Sequence, residues 1–151
     1  MPSLEGIINQ NAERYGEKTA LCWKDRNTSF KELRERVNRL CNALADRGLK
    51  KGDRVAILSQ NRPEYFEAYC AAKAGYVIVP LNTRFIGKEI TSLINNAEAQ
   101  ALIFEKAFAG RIEEIKEDIP GVQHYISLGR QREYPDYEGI IASASPEPRP
   151  A

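Results

Sequence analysis

Hydrophobic and polar positions alternate in blocks that switch between helical and strand spacing along the whole chain. Leu4, Ile7, Ile8, Ala12 and Tyr15 share one helical face behind Ser3, a residue suited to cap a helix start, and Gly16 ends that run. Thr19–Trp23 and Asn27–Ser29 read as two short strands around the turn Lys24-Asp25-Arg26-Asn27. Ser29 with Glu32 three positions on is a capping box for a helix whose apolar face is Phe30, Leu33, Val37, Leu40, Cys41 and Leu44. The opposite face carries Glu32–Arg36 and Glu35–Arg39 at i,i+4 spacing, and it reads as solvated. Gly48 closes that helix, Lys50–Asp53 is a turn, and the continuous apolar run Arg54–Leu58 predicts a fully buried strand.

The next stretch, Asn61 to Phe85, organises the rest. A helix is predicted over Pro63–Ala74, with Tyr65, Phe66, Ala68, Tyr69 and Ala72 inward and a narrow polar edge of Glu64 and Glu67. Gly75 can take the left-handed conformation that stops it. Tyr76–Val79 is too short for another helix and reads as a strand. Pro80 lacks an N–H, so the ladder is expected to end there and open into a polar loop, Leu81–Phe85. Ile86, Ile90, Leu93, Ile94 and Ala97 return to helical spacing, closed by Asn95-Asn96. A strand at Ala101–Phe104, a helix through Phe108, Ile112, Ile115 and Ile119, and a strand at Gln123–Leu128 follow. Strands alternating with helices predict the α/β class, with right-handed crossovers, a mostly parallel sheet and helices on both faces. Asp136–Ala142 reads as one short helix. The domain is expected to span residues 1–142, and the Pro-rich 143–151 to be an extended linker or tail.

Composition narrows the function classes. The 151 residues hold 22 Lys and Arg against 21 Asp and Glu, a net charge of +1, which gives no electrostatic reason to expect nucleic acid or an anionic membrane as partner. No apolar run approaches the ~20 residues of a transmembrane helix, and the N-terminus lacks the basic and apolar regions of a signal peptide. Cys22, Cys41 and Cys70 show no CxxC spacing and read as buried reduced thiols, which favours the cytoplasm. With His124 the only histidine, neither a histidine-based metal site nor a Ser-His-Asp triad can be assembled within the chain.

The wording of several segments adds a resemblance. TSFKEL, GLKKGDRVAIL, NRPEYFEAYCAAKAG, VPLNTRF and the helix containing Glu89 come in the order found in the AMP-forming acyl-CoA synthetases, including the long-chain fatty-acid–CoA ligases, of the adenylate-forming superfamily. The chain resembles their N-terminal subdomain, from about residue 4 to residue 142. The form VPLNTRF is closer to acyl-CoA ligases than to peptide-synthetase adenylation domains. The resemblance implies a full enzyme that binds ATP, Mg²⁺ and coenzyme A, adenylates a fatty or other carboxylic acid, and transfers the acyl group to the thiol.

It also implies what this chain lacks. The family's glycine-rich phosphate loop, later ATP-ribose site and catalytic lysine have no counterpart in these residues, so no catalytic residue is assigned. The simplest expectation is an N-terminal piece that is inactive alone and binds none of these ligands tightly. The alternatives are a stand-alone α/β binding module and the start of an adenylation domain that serves a carrier protein. Arg84 matches a position where some family members set an arginine against coenzyme A phosphates; otherwise it would pair with Glu89 or be solvated. Asn82 is expected to fix its loop through backbone hydrogen bonds. A sheet meant to pack against further chain should leave an apolar patch, so self-association or marginal stability is expected of the isolated chain.

Overall fold

Two serines set the first helices. In the computed structural model, which describes residues 2–149, Ser3 Oγ accepts from Gly6 N at 3.0 Å at the start of α1 (Leu4–Tyr15). Ser29 Oγ accepts from Glu32 N at 3.1 Å at the start of α2 (Phe30–Asp46). Only this half of the capping box forms among the described residues. Ser29 is also the last residue of β2, opposite Thr19. β1 (Thr19–Trp23) and β2 (Arg26–Ser29) make an antiparallel hairpin whose second strand begins one residue earlier than predicted, with Lys24 in the left-handed region at φ 53°.

A four-stranded sheet carries the core. β3 (Arg54–Leu58), β4 (Val77–Leu81), β5 (Ala99–Glu105) and β6 (His124–Leu128) lie in the order β4-β3-β5-β6, every pair parallel. α3 (Pro63–Cys70), α4 (Lys88–Ala97) and α5 (Ala109–Ile115) connect successive strands, and α6 (Tyr137–Ala142) follows β6. Strand alternation sorts the core into two layers. Val55, Ile57, Ala101, Ile103, Ile126 and Leu128 face α1, α2, α3 and α6. Ala56, Leu58, Leu102 and Phe104 face α4 and α5. The predicted α/β fold, a parallel sheet flanked by helices, is the observed one. No helix among the described residues is long and apolar enough to cross a membrane.

Several boundaries move. The helix predicted over residues 63–74 is α-helical only to Cys70 and tightens to a 3-10 turn over Ala71–Ala74 before Gly75, at φ 92°, stops it. β4 runs through Pro80 to Leu81, because among the described residues β4 is an edge strand paired only with β3, and a missing N–H is tolerated on an edge. Glu98, at φ 54°, ends α4 in place of Asn95-Asn96; Asn95 instead donates to Asp118 O at 2.9 Å. β5 starts two residues early, at Ala99.

The larger correction concerns which way α3 faces. Glu64 and Glu67, read as its polar edge, are 2% and 0% exposed, while Phe66 and Tyr69, read as core, are 46% and 42% exposed; Tyr65 is half-buried. Arginines invert the helix. Glu64 accepts from Arg26 Nη2 at 2.5 Å and Arg62 Nε at 2.6 Å. Glu67 accepts from Arg36 Nε at 2.6 Å and Nη2 at 3.1 Å, and from Tyr137 Oη at 2.8 Å.

The α2 face read as solvated is therefore engaged. Arg36 bypasses Glu32 for Glu67 and for Glu138 of α6, at 2.7 Å, while Glu35–Arg39 forms as expected at 3.2 Å. Arg39 and Asn42 donate to carbonyls of Ala144 and Ser145, and Asn38 to Pro146 O. The Pro-rich segment thus lies along α2 as far as Arg149; Pro150 and Ala151 lie outside the described residues. Cys41 and Cys70 are buried as read, but Cys22 is exposed, since its side of the hairpin faces solvent.

Candidate ligand-binding edge at the strand ends

In a parallel sheet the order β4-β3-β5-β6 sends the connections that leave β3 and β5 toward opposite edges, and ligands of such sheets bind beyond the carboxyl ends of the strands near that divide. Between β3 and β5 the divide is closed by side chains. Glu105, at the end of β5, accepts from Ser59 Oγ at 3.0 Å and from Gln60 N at 3.1 Å, and Arg62 stands 3.9 Å away. Arg62 also caps the start of α3 with its backbone and lies 5.1 Å from the Trp23 ring, which Lys24 and Arg26 approach to 4.5 and 5.6 Å. The hairpin thus brings a group of cations to this end of the molecule.

Beside it, the loop after β4 is built to hold its shape. Asn82 Oδ1 accepts from Arg84 N at 2.9 Å and Asn82 O from Phe85 N at 3.0 Å, the backbone-fixing role expected of this asparagine. From α5, Arg111 donates to the carbonyls of Thr83 and Phe85 and lies 4.8 Å from the Phe108 ring. Nothing in the local spacing announced Arg111, which reaches the loop from 26 and 28 positions away. Arg84 itself is exposed, and among the described residues its guanidinium makes no hydrogen bond or ion pair; the pairing with Glu89 does not form. A cation held out on a braced loop beyond a strand end can fork onto an anion.

Electrostatics differ between the two buried glutamates. Burial alone would raise the Glu64 carboxyl, but the hydrogen bonds from Arg26 and Arg62 outweigh it and hold it below its ordinary value. Burial pushes Glu67 up, and the bonds from Arg36 and Tyr137 do not bring it back. These groups fix elements. His124 lies half-buried in β6, and among the described residues no three His, Cys, Asp or Glu side chains gather to hold a metal.

With fold and loop in place, the wider likeness is specific. Residues 8–150 match the family described as AMP-binding enzyme. The chain belongs to the AMP-binding enzyme family. It is 32% identical over 139 residues to a medium/long-chain-fatty-acid–CoA/3-oxocholest-4-en-26-oate–CoA ligase of Mycobacterium marinum, covering 87% of this chain and 25% of that protein. It is 34% identical over 136 residues to a crotonobetaine/carnitine–CoA ligase of Salmonella paratyphi A, covering 85% and 26%. The chain therefore spans about a quarter of the length of these relatives. Among solved structures, the anthranilate CoA ligase AuaEII in complex with anthranoyl-AMP superposes with a TM-score of 0.92 at 24% identity, over 99% of this chain and 29% of that one. The N-terminal domain of FACL13 from Mycobacterium tuberculosis gives 0.89 at 24% identity, over 100% and 38%. These two share the fold.

Proposed function

We propose that this chain is the N-terminal part of an ATP-dependent, AMP-forming acyl-CoA ligase acting on a fatty or related carboxylic acid. The match of residues 8–150 to the AMP-binding enzymes, with CoA ligases among the relatives, is the observation that carries this reading. In the reaction a carboxylate oxygen attacks the α-phosphorus of ATP, forming an acyl-adenylate as pyrophosphate leaves. The sulfur of coenzyme A then attacks the acyl carbon, the thiol proton is lost, and AMP departs. Mg²⁺ would offset phosphate charge, but the described residues offer no cluster that fits it, so no step is assigned to a metal.

Within that scheme this chain contributes position. The Asn82 turn and the Arg111 fork hold the loop after β4, and Arg84 offers its guanidinium to a phosphate of coenzyme A. The chain alone is not expected to adenylate, since a glycine-rich phosphate loop is absent from its sequence. Calorimetric titration with coenzyme A, then with ATP and Mg²⁺, tests the half-site. Weak coenzyme A binding that Arg84→Ala abolishes is the expected result; binding that survives the substitution removes Arg84 from the site. For the whole protein, AMP and pyrophosphate should appear with the thioester when octanoate, ATP and coenzyme A are supplied. Production of ADP would overturn the reading.

A further inference from the structure

The stretches that follow the four parallel strands, residues 59–62, 82–85, 106 and 129–132, hold Arg62, Arg84, Lys106, Arg130 and Arg132 and no acidic residue. In a chain whose net charge is only +1, the carboxyl edge of the sheet therefore collects positive charge. Glu105, which ends β5, is already taken by Ser59, Gln60 and Arg62. Arg84 belongs to the loop after β4. The remaining cations, Lys106, Arg130 and Arg132, follow the neighbouring strands β5 and β6.

The loop after β6 is braced from within. Gly129 has φ 119°, a region open to glycine, and a Cβ added there would lie 3.0 Å from Lys106 Cβ. The stem of Lys106 thus lies against Gly129, one residue before Arg130. Ser127 Oγ donates to Gly129 O at 2.8 Å and accepts from Gln131 Nε2 at 2.8 Å. Gln131 is so held inward, while Arg130 and Arg132 on either side of it are exposed. Lys106 is exposed as well, and among the described residues these three side chains make no hydrogen bond or ion pair. The N–H groups of residues 129–132 donate to no described backbone carbonyl. Glu133, the next residue, lines a separate hollow with Arg47, His124 and Tyr125. Like charges held together on a braced backbone without a counter-ion repel one another, and a bound anion relieves that repulsion.

We propose that Lys106, Arg130 and Arg132 form a binding site for a linear polyphosphate group, free or at the end of a nucleotide. Two guanidinium forks and an ammonium match the spread oxygens of such a chain better than the single group of a phosphate monoester or a carboxylate. The site stands two to three strands from the Arg84 loop, about 10–14 Å at the ordinary strand spacing, and does not rest on the ligase reading.

An amide-resolved NMR titration of the isotope-labelled chain with inorganic tripolyphosphate, at low ionic strength, tests this. Saturable shifts confined to the amides of residues 105–107 and 128–132 are expected, with orthophosphate, which cannot span the three cations, binding about tenfold more weakly. Arg130→Gln combined with Arg132→Gln should weaken tripolyphosphate about tenfold or more, and Lys106→Gln should act in the same direction. Arg14→Gln combined with Lys18→Gln, two exposed cations at the end of α1 and just beyond it, should change nothing. All the substituted side chains are exposed, so the variants keep the fold. ATP free of Mg²⁺ separates the two sources. Binding at these amides at least as tight as that of tripolyphosphate assigns the site to a nucleotide, and weaker binding assigns it to a free chain. Shifts that do not saturate, that spread over exposed lysines and arginines at large, that persist unweakened in the double arginine variant, or that orthophosphate reproduces with equal affinity would overturn the proposal. Arg84→Ala should leave these shifts in place while it removes coenzyme A binding, so this site and the ligase reading can fail separately.

Discussion

Glu64 and Glu67 share a helix face, yet their charges respond to acid in opposite senses. Glu64 has a folded pKa below its ordinary 4.5, so its contribution to stability is complete above that value and is lost as the pH falls through the lowered pKa. Glu67 has a folded pKa above 4.5, so its contribution is complete below that value and is lost as the pH rises through the raised one. Urea midpoints measured against pH should show both. Glu64→Gln flattens the acid limb and costs about 1–2 kcal/mol at neutral pH, whereas Glu67→Gln flattens the slope just above pH 4.5. Arg36→Met is the harsher change, because it leaves the fully buried Glu67 without its cation. It should cost about 3–5 kcal/mol in urea unfolding, and adding Glu67→Leu should recover part of that loss.

At the scale of elements, α3 separates what pattern can reveal from what it cannot. β3 was legible because an apolar run between turn residues has one interpretation, and Gly75 because a helix must stop before the next strand starts. The loop after β4 was legible in outline, including the role of Asn82. The facing of α3 was not, since hydrophobic periodicity assumes that carboxylates seek water. Here every partner but Arg62 lies 38, 31 or 70 positions away, in Arg26, Arg36 and Tyr137, beyond any local window. The same limit hid Arg111. Substitution distinguishes the two interpretations of α3. Phe66→Gln and Tyr69→Gln should each shift the urea midpoint by less than about 0.5 kcal/mol in stability, where Phe104→Ala should cost about 3–5 kcal/mol. Gly75→Ala should cost about 1 kcal/mol or more, because its φ is 92° and the added carbon would lie 2.5 Å from Lys51 Cγ.

For the molecule as a whole, the exposed apolar side chains Leu4 and Ile7 of α1 and Phe66 of α3 border one shallow cavity of ≈ 150 Å³, with Tyr69 exposed on the same α3. We expect the isolated chain to self-associate through this face. Sedimentation across a concentration series should show species larger than the monomer, and the Phe66→Gln/Tyr69→Gln pair should shift the distribution back. A monodisperse wild-type chain at every concentration would count against it. The arginines of β2, α2 and the start of α3 fasten that helix from beneath, so its outer aromatic surface is not what sets its position. Substitution of Phe66 and Tyr69 can therefore change what this surface adheres to while the strand ends and their loops keep their geometry.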